Sequence, residues 1–202
     1  MKQLHTFDEV FDTQQVFRRL LEAMANPGRP CSIERLSAKL FGDCPDMLAV
    51  AMTLLDASTS FCAPENPALR EQILLLTHAR PVRPEEADYL FLSSVDQLSA
   101  VIPTAKKGTL ENPHLSATVV FRLPDGQETQ KVRLSGPGVD GQLHAALPPA
   151  LIQAVRLRDG QEYEYPQGID YVFLLPEREL LCIPRLVRME ESGYGLCSSI
   201  GR

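Results

Sequence analysis

Arginine is the side chain in this sequence best suited to do chemistry. Arg18 and Arg19 sit together in the run Phe17-Arg18-Arg19-Leu20-Leu21-Glu22-Ala23-Met24-Ala25-Asn26-Pro27-Gly28, and Arg185 closes Ile183-Pro184-Arg185. Fifteen arginines stand against five lysines. The guanidinium group suits bidentate contacts to carboxylate or phosphate, so a local anion site is open to this chain. Arg185 follows an apolar run and can project from a strand end as an anion anchor. The alternative is a structural pair with Asp170 across a hairpin. Arg18 and Arg19 are candidates for an anion or partner contact, or else a solvated helix face. Two further words add candidates. In Leu134-Ser135-Gly136-Pro137-Gly138, Gly136 and Gly138 can take positive φ, so that a ligand, a partner or another backbone comes close beside Ser135. A tight strand exit is the simpler reading. In Pro166-Gln167-Gly168-Ile169-Asp170, Gly168 leads into a strand whose first carboxylate, Asp170, can cap a turn or meet an arginine.

Other chemistries lack their residues. His5, His78, His114 and His144 are isolated, without the spacing or acidic partner of a metal motif, so no metal site is expected. No Gly-x-Ser-x-Gly elbow, Walker A loop or Gly-x-Gly-x-x-Gly fingerprint occurs, and Gly136-Pro137-Gly138-Val139-Asp140-Gly141 lacks the Lys-Ser/Thr that grips phosphate. No catalytic residue can be assigned from these patterns. The five cysteines (Cys31, Cys44, Cys62, Cys182 and Cys197) form no Cys-x-x-Cys. They read as reduced thiols, with Cys182 in the core and Cys197 the most exposed. A net charge of −6 argues against a general nucleic-acid binder. The longest apolar run falls short of the ~20 residues that cross a bilayer. The N-terminus lacks the apolar core of a signal peptide. The expectation is a cytoplasmic chain.

These residues need elements to position them. A helix is predicted from Gln14 to Ala25, capped by Asp12-Thr13, with Val16, Phe17, Leu20, Leu21 and Met24 as one apolar stripe and Pro27-Gly28 as its stop. Residues 30–36 read as a short strand. A second helix, capped by Asp43 or Asp46 and running through Leu55, is apolar nearly all round and should be deeply buried. Strands follow at 59–63 and 87–92, with a helix between them opened by Asn66-Pro67 and ending near His78. Residues 116–123 and 127–134 flank Pro124-Asp125-Gly126 and read as a β-hairpin, with Val132 and Leu134 inward. Pro148-Pro149 starts a helix that Asp159-Gly160 stops. The apolar run 169–175 suits a central strand covered on both faces. Glu177-Arg178-Glu179 returns it into 180–183, a second hairpin. From about residue 190 the tail is Gly- and Ser-rich and expected to be loose. The expected fold is a single α/β domain over 1–202, a mixed central sheet with helices on both faces.

The four words together, in this order, resemble the PhnH family of the bacterial carbon–phosphorus lyase system, with Gly108-Thr109 and Ala117-Thr118 adding to the likeness. The likeness spans about residues 7–190. The resemblance implies a homodimer whose fold is that of the large domain of pyridoxal-phosphate-dependent transferases, without that cofactor. None of the five lysines sits at a convincing buried strand end for a Schiff base. It implies action with the partner subunits PhnG, PhnI and PhnL, displacing adenine from a nucleoside triphosphate with an alkylphosphonate to give a ribose 1-alkylphosphonate 5-triphosphate. PhnJ then breaks the C–P bond with an iron–sulfur cluster, for which this chain lacks the cysteines. Matching positions Arg18, Gly28, Gly136, Gly138, Gly168, Asp170 and Arg185 become candidates for shared geometry or contact. The expectation is a subunit that supports the reaction and is inactive alone. The rival readings are an independent enzyme in which Ser135, Asp170 and Arg185 converge on a small anion, and a purely structural scaffold.

Overall fold

A computed structural model describes residues 5–191. Its helices are α1 (Phe11–Ala25), α2 (Glu34–Ser37), α3 (Pro45–Leu54), α4 (Pro67–Thr77), α5 (Val95–Val101) and α6 (Pro149–Asp159). Its strands are β1 (Cys31–Ser32), β2 (Ser60–Cys62), β3 (Arg80–Pro81), β4 (Tyr89–Leu92), β5 (Thr118–Arg122), β6 (Gln130–Ser135), β7 (Leu143–Leu147), β8 (Asp170–Leu174), β9 (Glu179–Ile183) and β10 (Arg188–Glu191). Seven strands form a mixed sheet in the order β1-β9-β8-β5-β4-β2-β3, and β10-β6-β7 form a second, three-stranded sheet. The strands β3, β2, β4, β5 and β8 are parallel; β9 runs against them, and β1, antiparallel to β9, runs with them again.

The large sheet is covered on both sides, and its strands show it residue by residue. Val119, Phe121, Tyr171 and Phe173 point into a core shared with α5, α6 and the small sheet. Val120, Val172, Leu174 and Cys182 point into a second core under α1, α3 and α4. A strand that buries alternate residues on opposite sides must be apolar throughout, as β5 and β8 are. Helix α3 is buried at every position from Pro45 to Ala51, as its composition requires.

Several boundaries differ from expectation for local reasons. Helix α1 starts at Phe11 because the Asp8 carboxylate accepts from the N–H groups of Val10 (2.9 Å) and Phe11 (2.7 Å). Asp12 is instead buried against Lys39 Nζ at 2.7 Å. Within the expected stripe Val16 and Leu20 are buried and Met24 half-buried, but Phe17 and Leu21 are exposed. The strand expected over 30–36 divides into β1 and α2. Helix α5 was not anticipated, although Ser94 and Gln97 form a capping box that starts it.

The hairpin around Pro124-Asp125-Gly126 does not form. Strand β5 lies between β4 and β8 as a parallel neighbour of both, and β6 pairs with β7 and β10 in the other sheet. The turn is real, with Gly126 at φ 71°. The two strands differ in what they need covered: β5 needs both faces buried, β6 only the face carrying Val132 and Leu134. They therefore part into different layers. The β8–β9 hairpin does form, from Tyr171↔Ile183 to Leu174↔Leu180. Glu190 and Glu191 belong to β10; the rest of the expected tail, with Cys197, lies outside the described residues.

Candidate functional site

Three of the four sequence words enter the same corner through their glycines, and the fourth, Ile183-Pro184-Arg185, supplies the side chain at its centre. The corner lies where β8 begins and β9 ends, at the amino ends of the parallel strands. Asp170 opens β8, and its carboxylate accepts from the Arg185 backbone N–H at 2.7 Å and from Arg185 Nε at 3.0 and 3.2 Å. Arg185 Nη2 completes the fork on Asp170, and Nη1 donates to the carbonyl of Pro113. A planar guanidinium meeting a carboxylate edge-on is the strongest of the common ion-pair geometries. It leaves Arg185 few donors for a ligand. Gly168 fits because an added Cβ would lie 3.0 Å from Arg185 Cβ. Its N–H donates to Lys107 O at 2.9 Å, and Gln167 Nε2 donates to Gly108 O at 2.9 Å.

The other two words lock on from the opposite side. Gly28 donates its N–H to Cys182 O at 3.2 Å, and a Cβ there would strike Leu134 Cδ1 at 2.5 Å. Gly138, at φ 83°, places its would-be Cβ 2.8 Å from both Ala25 O and Pro27 Cδ, and that of Gly136 would lie 2.8 Å from Leu186 O. The glycines therefore serve backbone-to-backbone approach between the end of α1, the exit of β6 and the segment after β9.

The corner encloses a cleft of about 410 Å³ walled by Pro113, Pro137, Pro166, Pro184, His114 and Leu186 around the Asp170–Arg185 pair. Ser135 is not among its walls, and its hydroxyl has no hydrogen bond among the described residues. Serine, aspartate and arginine do not converge on one volume. Arg18 and Arg19 lie elsewhere, lining a separate cleft between α1 and the β1–α2 segment.

The residue that sequence reasoning missed is Arg158. It is fully buried at the end of α6, where a stop signal alone was expected. Its Nη1 donates to Ile183 O at 3.2 Å and Pro184 O at 3.1 Å, its Nη2 to Val187 O at 2.8 Å and its Nε to Asp159 Oδ1 at 2.9 Å. The guanidinium carbon stands 5.7 Å from the centre of the Tyr171 ring. Arg158 thus clamps the segment that presents Arg185. The only sequence signal was an arginine one residue before a helix-ending Asp-Gly.

A second polar network ties the amino ends of neighbouring strands. Asp88 accepts from Ser60 Oγ at 2.6 Å, Ser60 N at 2.9 Å and Lys106 Nζ at 2.6 Å. Burial alone would raise the Asp88 pKa, but the bonds from Lys106 and Ser60 together hold it below the ordinary carboxylate range. At the opposite, carboxyl ends of the strands, where open α/β sheets usually bind ligands, Arg122 donates to Asp43 O at 3.2 Å and stands 3.6 Å from Asp46. The hollow beside it is only about 230 Å³. Among the described residues no three His, Cys, Asp or Glu side chains gather as a metal site, and no helix is long and apolar enough to cross a membrane.

Comparison with known proteins agrees with this outline. Residues 5–190 match the model of the family described as bacterial phosphonate metabolism protein, PhnH. The chain is 29% identical over 184 residues to a protein named as a C-P lyase subunit, HtxG, of Stutzerimonas stutzeri, covering 89% of this chain and 87% of that one. It is 30% identical over 198 residues to the alpha-D-ribose 1-methylphosphonate 5-triphosphate synthase subunit PhnH of Rhizobium meliloti (strain 1021), covering 91% and 92%.

Proposed function

Because the chain belongs to the PhnH family, we propose that it works as a subunit of a carbon–phosphorus lyase assembly, supporting formation of a ribose 1-alkylphosphonate 5-triphosphate from ATP and an alkylphosphonate. The partners in this reading are PhnG, PhnI, PhnJ and PhnL, and the chain itself forms a homodimer in the cytoplasm. Its fold would be a transferase large domain used without pyridoxal phosphate or an iron–sulfur cluster.

One observation carries the partner-dependent reading. Helix α1 leaves Val10, Phe11, Phe17 and Leu21 exposed at 70, 68, 45 and 53%, and Val10, Phe17 and Leu21 fall at i, i+7 and i+11, on one face. An uncovered apolar helix face of this kind marks a protein contact. The corner, by contrast, spends its arginine on an internal carboxylate and holds no nucleophile. That arrangement favours a subunit that shapes a partner over an enzyme acting alone.

Co-expression with PhnG, PhnI and PhnJ followed by size-exclusion chromatography tests it. Elution in one stoichiometric complex is expected, with the Phe17→Ser/Leu21→Ser chain left out of that complex while remaining folded. Turnover of ATP and methylphosphonate by the purified chain alone would overturn the reading.

A further inference from the structure

Helix α1 presents three faces, and only two are accounted for. Val16, Leu20 and Ala23 face the core, and Val10, Phe17 and Leu21 form the apolar outer face. The third carries Gln15, Arg18, Arg19 and Glu22 at i, i+3, i+4 and i+7, which a helix places on one side. This side does not face open solvent alone. It forms one wall of a cleft of about 610 Å³ whose other wall is Ser32 to Leu36, the segment from β1 into α2. The volume is within the range of small-molecule sites, roughly 300–1,000 Å³.

The charge in that cleft is one-sided. Arg18, Arg19 and Arg35 line it, against one lining carboxylate, Glu34. Arg19 is held by Glu22 at 2.8 Å. Arg18 and Arg35 make no hydrogen bond or ion pair among the described residues and stand on opposite walls. Ser32 Oγ accepts from the Glu34 N–H at 3.3 Å, which leaves its own proton to donate. Gln15 adds an amide. In a chain of net charge −6 this is a local reversal of sign. Two unpaired guanidiniums, one from each of the segments lining a concave space, can hold an anion with several oxygens.

We propose that the cleft between α1 and α2 binds a phosphorylated small molecule with more than one phosphoryl group, held between Arg18 and Arg35 with Arg19, Ser32 and Gln15 as further donors. The site does not depend on the assembly reading: it uses a different face of α1, and it is present in the free chain.

Isothermal titration of the full-length chain at low salt with tripolyphosphate, ATP and AMP tests this. Tripolyphosphate and ATP should bind and AMP should bind far more weakly. Equal affinity for the first two would make the phosphate chain the ligand, and tighter ATP would add the nucleoside to it. Arg18→Ala and Arg35→Ala should each raise Kd roughly tenfold, about 1.4 kcal/mol, with Arg35→Lys intermediate. Arg70→Ala, an exposed arginine on α4, should change nothing. All four variants alter exposed side chains, and unchanged thermal midpoints would confirm that they fold. Absence of binding at millimolar ligand, or equal loss in Arg70→Ala, would overturn the proposal. Co-elution with the partner subunits is read separately, so either idea can fail alone.

Discussion

At the residue scale the corner rests on Arg158 more than on the arginine that the sequence made conspicuous. Arg158 satisfies carbonyls of the segment after β9, and removing it leaves buried acceptors and an uncompensated hole. Arg158→Ala should cost about 3 kcal/mol or more in urea unfolding. Arg158→Lys should recover only part of that, since one ammonium cannot reach carbonyls spread across a planar fork. A loss below about 1 kcal/mol for Arg158→Ala would mean that the clamp does little. The glycines allow a sharper comparison. Gly138 and Gly141 both have positive φ, 83° and 65°, but a Cβ at Gly138 meets the Ala25 carbonyl oxygen whereas one at Gly141 meets nothing within 4 Å. Gly141→Ala should cost about 1 kcal/mol, the backbone term alone, and Gly138→Ala clearly more. Equal costs would remove the close approach as the reason for that glycine. The words at these positions were visible in the sequence; that they lock onto one another was not, because the contacts join separate segments, from 15 positions apart for Asp170 and Arg185 to more than a hundred for Gly138 and Ala25.

At the element scale, legibility followed how much of an element's fate is local. Helix α4 was readable because Asn66 caps it through the Leu69 N–H at 2.9 Å and Pro67 opens it. Strand β8 was readable because its apolar run demands two covered faces. The false hairpin shows the limit: a turn signal states that the chain reverses, not which sheet receives it. Helix α1 shows another. Phe17 and Leu21 have the hydropathy of core residues, and only the packed α3 and β9 beneath the helix decide that the core takes Val16 and Leu20 instead. Exposure of that kind predicts a dissociation of effects. The Phe17→Ser/Leu21→Ser chain should keep its unfolding free energy in urea to within about 0.5 kcal/mol, as surface substitutions do, while losing its partners. A large loss of stability with assembly intact would make the face part of the fold and not a contact surface.

At the scale of the whole molecule, the titrating groups set the limits of a stability plateau. Asp88 and Asp56 both have pKa values lowered from the ordinary 3.8, Asp88 because the Lys106 and Ser60 bonds outweigh its burial and Asp56 chiefly through Ser58. The native state therefore releases protons that the unfolded chain still binds, and the stability this confers is present above 3.8 and lost as pH falls through the lower native values. At the other end, burial raises the thiols of Cys31 and Cys62 above the ordinary 9.0. There the native state holds protons that the unfolded chain gives up, so stability declines as pH rises past 9.0. Between these limits the urea midpoint should be nearly flat. Asp88 is the informative position, because it joins β2, β4 and the segment before β5 through Ser60 and Lys106. Asp88→Asn should lower the midpoint at neutral pH, where the carboxylate bonds are made, and lessen the fall below pH 3.8, because the group that titrates there is gone. If the variant instead kept the full acid slope, the network at the amino ends of the strands would not be what acid dismantles, and Asp56, whose pKa is also lowered, would be the next carboxylate to replace.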